Sequence, residues 1–173
     1  MRYRLLLLFL VLLSACAVVP RRVEIVRWPE HITDLQGEGQ LDLKWKGENL
    51  SGSFALTMNY PNGLLLEVYG SPFGQTVLHL QKDGDKFLLI AGDEKITDEG
   101  ALRARYGFGS MELMDGLAMK GDKQEAPGEG FAIPHEGYVV IYGQDRRGRR
   151  RMCWERGDAR LCLTFTDVSF EKP

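Results

Sequence analysis

The stretch from Leu41 to Gly92 limits the fold more than any other part of the chain. In 41–46, Leu41, Leu43 and Trp45 alternate with Asp42, Lys44 and Lys46. In 53–60, Phe54, Leu56, Met58 and Tyr60 alternate with Ser53, Ala55, Thr57 and Asn59. A period of two is the signature of a strand with one face turned inward. Three further runs, 63–70, 75–82 and 86–92, are set off by "YPNG", "GSPFG" and "KDGD". Asn62-Gly63 and Asp83-Gly84 are hairpin signals, because both residue types tolerate the backbone of a two-residue turn. Five successive strands with short connections make an antiparallel meander. Strand patterns return at 137–143, 149–155 and 160–169.

The period changes over 98–120. Thr97 or Asp98 is placed to cap a helix running through Tyr106, and Ser110 to cap a second one with Glu112 in its first turn. Met111, Met114 and Ala118, with Leu113 and Leu117 beside them, form an apolar stripe at helical spacing. Ile32 and Leu35 share a face if 29–35 is a third short helix, and 121–130 ("GDKQEAPGEG") is expected to be a polar loop. The sum is one curved sheet of eight or more strands, mainly β, with a small α lid on one face. Each strand sends about three large residues inward, and the short helices offer few apolar residues to meet them. Two outcomes stay open: a fully packed core, or a barrel-like interior with space for one small ligand. In the second, Met111, Met114 and Met119 line the mouth, their flexible side chains adapting to irregular guests.

The chain begins "MRYRLLLLFLVLLSAC". Arg2 and Arg4 precede an apolar run, Leu5 to Leu13, that is too short for a permanent span and reads as a secretory signal. Leu13-Ser14-Ala15-Cys16 resembles a bacterial lipobox; the alternative is an ordinary signal peptide with an incidental cysteine. The lipobox reading implies cleavage after Ala15 and lipid on Cys16, and several acyl chains on one residue anchor a protein stably. Ala17, rather than Asp, then points to the outer membrane. The expected organisation is a signal peptide over 1–15, a lipidated tether over 16–30 and one domain over 31–173. Losing Arg2 and Arg4 takes Lys+Arg from 22 to 20 against 24 Asp+Glu, a formal net charge of −4. That balance gives no support to a nucleic-acid partner.

Cys153 and Cys162 flank "WERGDARL". With Gly157-Asp158 as a two-residue turn, they face each other at a non-hydrogen-bonded pair, where side chains are closest. A cross-strand disulfide fits, and an exported protein meets an oxidising environment. The alternative, a reactive or metal-binding pair, lacks a histidine at ligand spacing among His31, His79 and His135.

No catalytic constellation emerges: there is no H-E-x-x-H, G-x-S-x-G or P-loop. Neither an enzyme nor a cofactor or metal is expected. Asp83 and Asp85 read as a hairpin turn or, alternatively, a cation site. Arg146, Arg147, Arg149, Arg150 and Arg151 around Gly148 read as a solvated hairpin or as a contact for anionic lipid headgroups.

One feature of the meander is a turn with an aromatic residue at its tip, "GSPFGQ". Together with "LLLEVYGSPFGQTVLHLQKDGDKFLLIAGDEKITDEGALRARYGFGSMELMDGLAMKG" and the lipobox, it resembles the LolA/LolB-like superfamily of lipoprotein carriers and receptors, over about Leu35 to Gly121. That resemblance implies an incomplete antiparallel β-barrel with a helical lid over an apolar cavity. It implies a monomer that accepts the acyl chains of cargo lipoproteins from a periplasmic, LolA-like carrier and inserts them into outer-membrane lipid. On this motif Phe73, between Pro72 and Gly74, is the apolar loop residue that enters the membrane. Phe54, Leu56, Met58, Leu78, Leu80, Met111, Met114 and Leu117 are the candidates for the cavity wall. A structural or assembly lipoprotein of an envelope complex, or a divergent lipid- or glycolipid-binding relative, is the alternative.

Overall fold

A computed structural model describes residues 28–70, 74–126 and 130–170. Eleven strands form a single antiparallel sheet: β1 (Asp34–Trp45), β2 (Glu48–Asn59), β3 (Gly63–Tyr69), β4 (Thr76–Asp83), β5 (Lys86–Ala91), β6 (Glu94–Ile96), β7 (Gln124–Ala126), β8 (Gly130–His135), β9 (Tyr138–Gln144), β10 (Arg150–Arg156) and β11 (Ala159–Phe170). Two helices, α1 (Glu99–Tyr106) and α2 (Ser110–Leu117), interrupt the strands between β6 and β7. The order across the sheet is β6-β5-β4-β3-β2-β1-β11-β10-β9-β8-β7, so the two edge strands do not pair. This is a curved, unclosed sheet covered by short helices: the expected incomplete barrel.

The meander follows from the alternation. Phe54, Leu56 and Met58 on β2, Leu64, Leu66 and Val68 on β3, and Leu78 and Leu80 on β4 all face the core. In β11, Leu161, Leu163 and Phe165 face inward, and then the register slips against Glu38 and Gly39 of β1. Thr166 is the extra residue of this bulge, and its hydroxyl donates to the Glu38 carbonyl at 3.1 Å. The extra residue re-aims the strand, so that Val168 and Phe170 continue the inward face. Bulges also add bend and twist, which helps the sheet curl.

Four local expectations are corrected. Residues 29–35 are not helical; Asp34 already begins β1, where Leu35 pairs with Met58 on one side and Phe170 on the other. Both Ile32 and Leu35 are buried all the same, so their spacing reflected burial and not a helix. Within 121–130, residues 124–126 form β7 and Gly130 opens β8, the pair closing the far end of the sheet. The cap of α2 is Gly109, not Ser110, which is its first helical residue. The two-residue turn after β4 is Gly84-Asp85, one position on from the signal, since Asp83 pairs with Lys86. For α1 the expected cap holds: Asp98 accepts from the Ala101 N–H at 2.8 Å, and Gly107, at φ 84°, ends the helix in the left-handed region.

α2 is fastened to the concave face of the sheet. The Trp154 indole Nε1 donates to the Glu112 carbonyl at 3.1 Å, and the Tyr142 hydroxyl to the Gly116 carbonyl at 2.6 Å. Tyr60 donates to Asp115 at 2.9 Å. Leu113, Met114 and Leu117 are buried beneath it.

Candidate functional site

All strands run antiparallel, so the molecule has two ends. At one end β1 finishes (Trp45), β2 starts, and the β3–β4 loop and the β10–β11 turn lie. Here the helices leave an opening. A groove of about 270 Å³ runs between Leu43, Leu50, Val77 and Ala91 of the sheet and Arg105 and Tyr106 of α1. Behind it is a cavity of about 40 Å³ whose walls are apolar: leucines of the sheet below, Leu102, Phe108 and Leu113 of the helices above. Leu43, Leu50, Leu78 and Tyr106 belong to both, so groove and cavity are one cleft with a narrow neck.

Charge is confined to the rim. Arg105 meets Glu94 at 3.3 Å, both about half exposed, and its guanidinium lies 5.3 Å from the Tyr106 ring centre. Lys46 donates to the Ala104 carbonyl at 3.2 Å and sits over Trp45. An exposed ion pair of this kind contributes little to stability, so the rim yields easily to a guest. The inner cavity as it stands admits about one small group, well below the roughly 300 Å³ at which ligand pockets usually begin. The inner cavity alone, as it stands, is too small for an acyl chain.

The sequence candidates divide. Leu78 and Leu80 line the cavity. Phe54, Leu56, Met58, Met114 and Leu117 are buried but away from it, packed into the part of the half-barrel filled by large residues such as Phe165 and Trp154; Phe54 and Phe165 meet edge to face at 5.4 Å. Met111 is exposed, because α2 turns Leu113, Met114 and Leu117 inward instead. Met114 and Met119 are fully buried, so the mouth is made by Leu43, Leu50, Leu78 and Tyr106 and not by methionines. Sequence reasoning missed Leu43, Leu50 and Tyr106; the alternation of 41–46 marked Leu43 as inward-facing but not as the lip of an opening.

Phe73 and Pro72 lie outside the described residues, as does Cys16. The base of their loop is described. Gly70 donates to the Gln75 carbonyl at 2.9 Å, and Gly74, at φ 64°, to the Gly70 carbonyl at 3.0 Å. Two residues after Gln75, Val77 forms part of the groove, so the loop springs from its edge. Cys153 and Cys162 oppose each other across β10 and β11 and are joined by a disulfide, with Cα atoms 4.1 Å apart. They lie on the opposite side of the strands from Met152 and Trp154.

A polar latch holds the lid beside the cleft. Arg156, at the end of β10, donates through Nη2 to Glu112 at 2.6 Å and through Nη1 to the Gly107 carbonyl at 2.9 Å. It thus ties the α1–α2 junction to the sheet. Arg103 adds a second contact to Glu112 at 3.1 Å, and the Gly109 N–H donates to the same carboxylate at 2.9 Å. Glu99 accepts from the Ser110 N–H at 2.9 Å and from its hydroxyl. Burial opposes ionisation of Glu112, but the Arg156 bond, the Gly109 amide and the two arginine charges outweigh it and hold the carboxyl below its ordinary value. Nearby, His135 stacks on Tyr138 at 4.5 Å, and burial lowers the imidazole and raises the phenol to about 12.

Among the described residues no group of histidines, cysteines or carboxylates has metal-binding geometry, and no helix is long and apolar enough to cross a membrane. No protein-family model matches the chain, and no curated protein matches it.

Proposed function

We propose that this chain is an outer-membrane-anchored lipoprotein that takes the acyl chains of other lipoproteins from a periplasmic carrier and inserts them into the outer membrane. The observation that carries the proposal is the cleft: an apolar cavity in an unclosed sheet, entered through a groove between Leu43, Leu50, Leu78 and Tyr106 under two short, latched helices. The inner cavity offers apolar surface, as acyl-chain transfer requires. Transfer needs no covalent step, because acyl chains move down a gradient of apolar affinity toward the bilayer. The lipobox-like "LSAC" supports an anchor at Cys16, and the order of elements around "GSPFG" resembles the lipoprotein receptors. Phe73 then enters the membrane during delivery.

A second reading, an assembly lipoprotein with a packed core and no cargo, draws support from the small size of the cavity, about 40 Å³. Incubation with a lipoprotein-loaded carrier and liposomes separates the two. The receptor reading expects transfer to the wild type, and in Phe73→Glu normal cargo binding with poor insertion, since a charge must now approach hydrocarbon. No transfer to the wild type rejects it.

A further inference from the structure

The strongest charge feature of the chain lies at the end of the sheet opposite the cleft. The β9–β10 hairpin holds Arg146, Arg147, Arg149, Arg150 and Arg151 against a single acid, Asp145, in a chain whose formal charge is −2. Asp145 is consumed within the turn. It accepts from the Arg147 and Arg149 N–H groups at 2.9 Å each and meets the Arg149 guanidinium at 2.7 Å. Arg150 folds inward, 5.4 Å from the Phe170 ring centre and 5.9 Å from that of Trp28. Arg146 and Arg147 are exposed at the tip, and their guanidinium groups meet no acid among the described residues.

Trp28, the first described residue, packs edge-on to Tyr142 at 5.7 Å and on Phe170. The described chain therefore begins beside this hairpin, and the sequence between Cys16 and Trp28 carries three more arginines, Arg21, Arg22 and Arg27, against one acid, Glu24. Eleven residues lie between Cys16 and Trp28, and the twelve steps between them span at most about 40 Å. That is about the length of the twelve-residue strand β1. A lipid on Cys16 thus lets either end of the sheet meet the membrane, and the distribution of charge decides between them.

We infer that the β9–β10 hairpin is a foot that docks on the anionic headgroups of phospholipids. The orientation that follows rests on the lipid anchor of the proposed function; the charge of the hairpin does not. Docked on this foot, the cleft and the adjoining ends of β3 and β4 face away from the bilayer, toward an incoming carrier. Delivery then requires the domain to leave the headgroups and turn over on its tether. Because the foot is held by screened surface charge, release is easy.

The test uses the whole mature chain with Cys16→Ser, so that no attached lipid masks the interaction. It is sedimented with vesicles of phosphatidylcholine, with and without phosphatidylglycerol, and with no carrier or lipoprotein present. Binding is expected only with phosphatidylglycerol, weakening as salt is raised. Arg146→Glu/Arg147→Glu is expected to weaken it at least about thirtyfold, from about 1 kcal/mol per basic residue. Lys44→Glu/Lys95→Glu, the same charge change at exposed sites elsewhere, is expected to leave it unchanged. Equal binding to both vesicle types, no binding to either (as when the arginines meet an acidic protein instead), or an equal loss in the lysine variant overturns the inference. Since no cargo enters the assay, failure here leaves the acyl-transfer reading untouched, and failed transfer leaves this one untouched.

Discussion

Arg156 Nη2 lies 2.6 Å from Glu112 Oε1, joining the last residue of β10 to the first turn of α2. With the bond from Arg156 to the Gly107 carbonyl, it holds both lid helices at their junction. Arg156→Met keeps an unbranched apolar stem but leaves Glu112 with only Arg103 as a charged partner. The pair is largely shielded, at 23 % and 15 % side-chain exposure. Loss of about 2 kcal/mol in urea unfolding is expected, as for a charged hydrogen bond whose partner stays buried. An unchanged midpoint would mean that the latch is not holding the lid.

The same carboxyl sets a pH dependence. Glu112 titrates below 4.5 in the folded protein. Its contribution is therefore complete above that unfolded value and is lost as pH falls through the lowered folded value. Asp145, which burial would raise but the Arg149 side chain and the turn amides lower, adds to the same acid window. The melting temperature is expected to fall on acidification below pH 4.5, less steeply in Arg156→Met than in the wild type. Parallel curves would remove the latch as a source of acid lability.

Gly116 marks the closest approach of α2 to the sheet. A Cβ there runs into the indole ring of Trp154, which is rigid and itself bonded to the Glu112 carbonyl. Helix propensity alone favours Gly116→Ala by up to about 1 kcal/mol. Overpacking against a fixed ring costs about 1–3 kcal/mol, so the clash wins and net destabilisation is expected in thermal unfolding. A stabilised variant would show that α2 sits farther from β10.

How much of this was legible in the sequence depended on the range of the interaction. The meander from β1 to β5 was legible because alternation and turn chemistry are local, and so was the opposition of Cys153 and Cys162, fixed by one turn. β6 and β7, at three residues each, are too short to show a period, and β8 carries Pro134, a residue type that breaks a strand pattern. Ile32 and Leu35 looked helical because burial at three-residue spacing arises in a turn entering a strand as well. The lid was legible as two helices but not as a latch. Arg156 and Glu112 are 44 positions apart, and nothing in either neighbourhood marks the other. The cavity wall was legible only in Leu78 and Leu80: alternation says which residues face inward, not where large residues such as Trp154 fill the space.

The central claim is that the cleft opens to hold an acyl chain. The most direct measurement is native mass spectrometry of the mature Cys16→Ser chain after exposure to a loaded carrier, beside Leu78→Trp, which puts an indole into the neck shared by groove and cavity. Bound acylated cargo is expected on the Cys16→Ser chain, and little or none on Leu78→Trp at a temperature where circular dichroism shows both folded. A Cys16→Ser chain that carries no cargo, or a filled neck that binds as well as an open one, would contradict it.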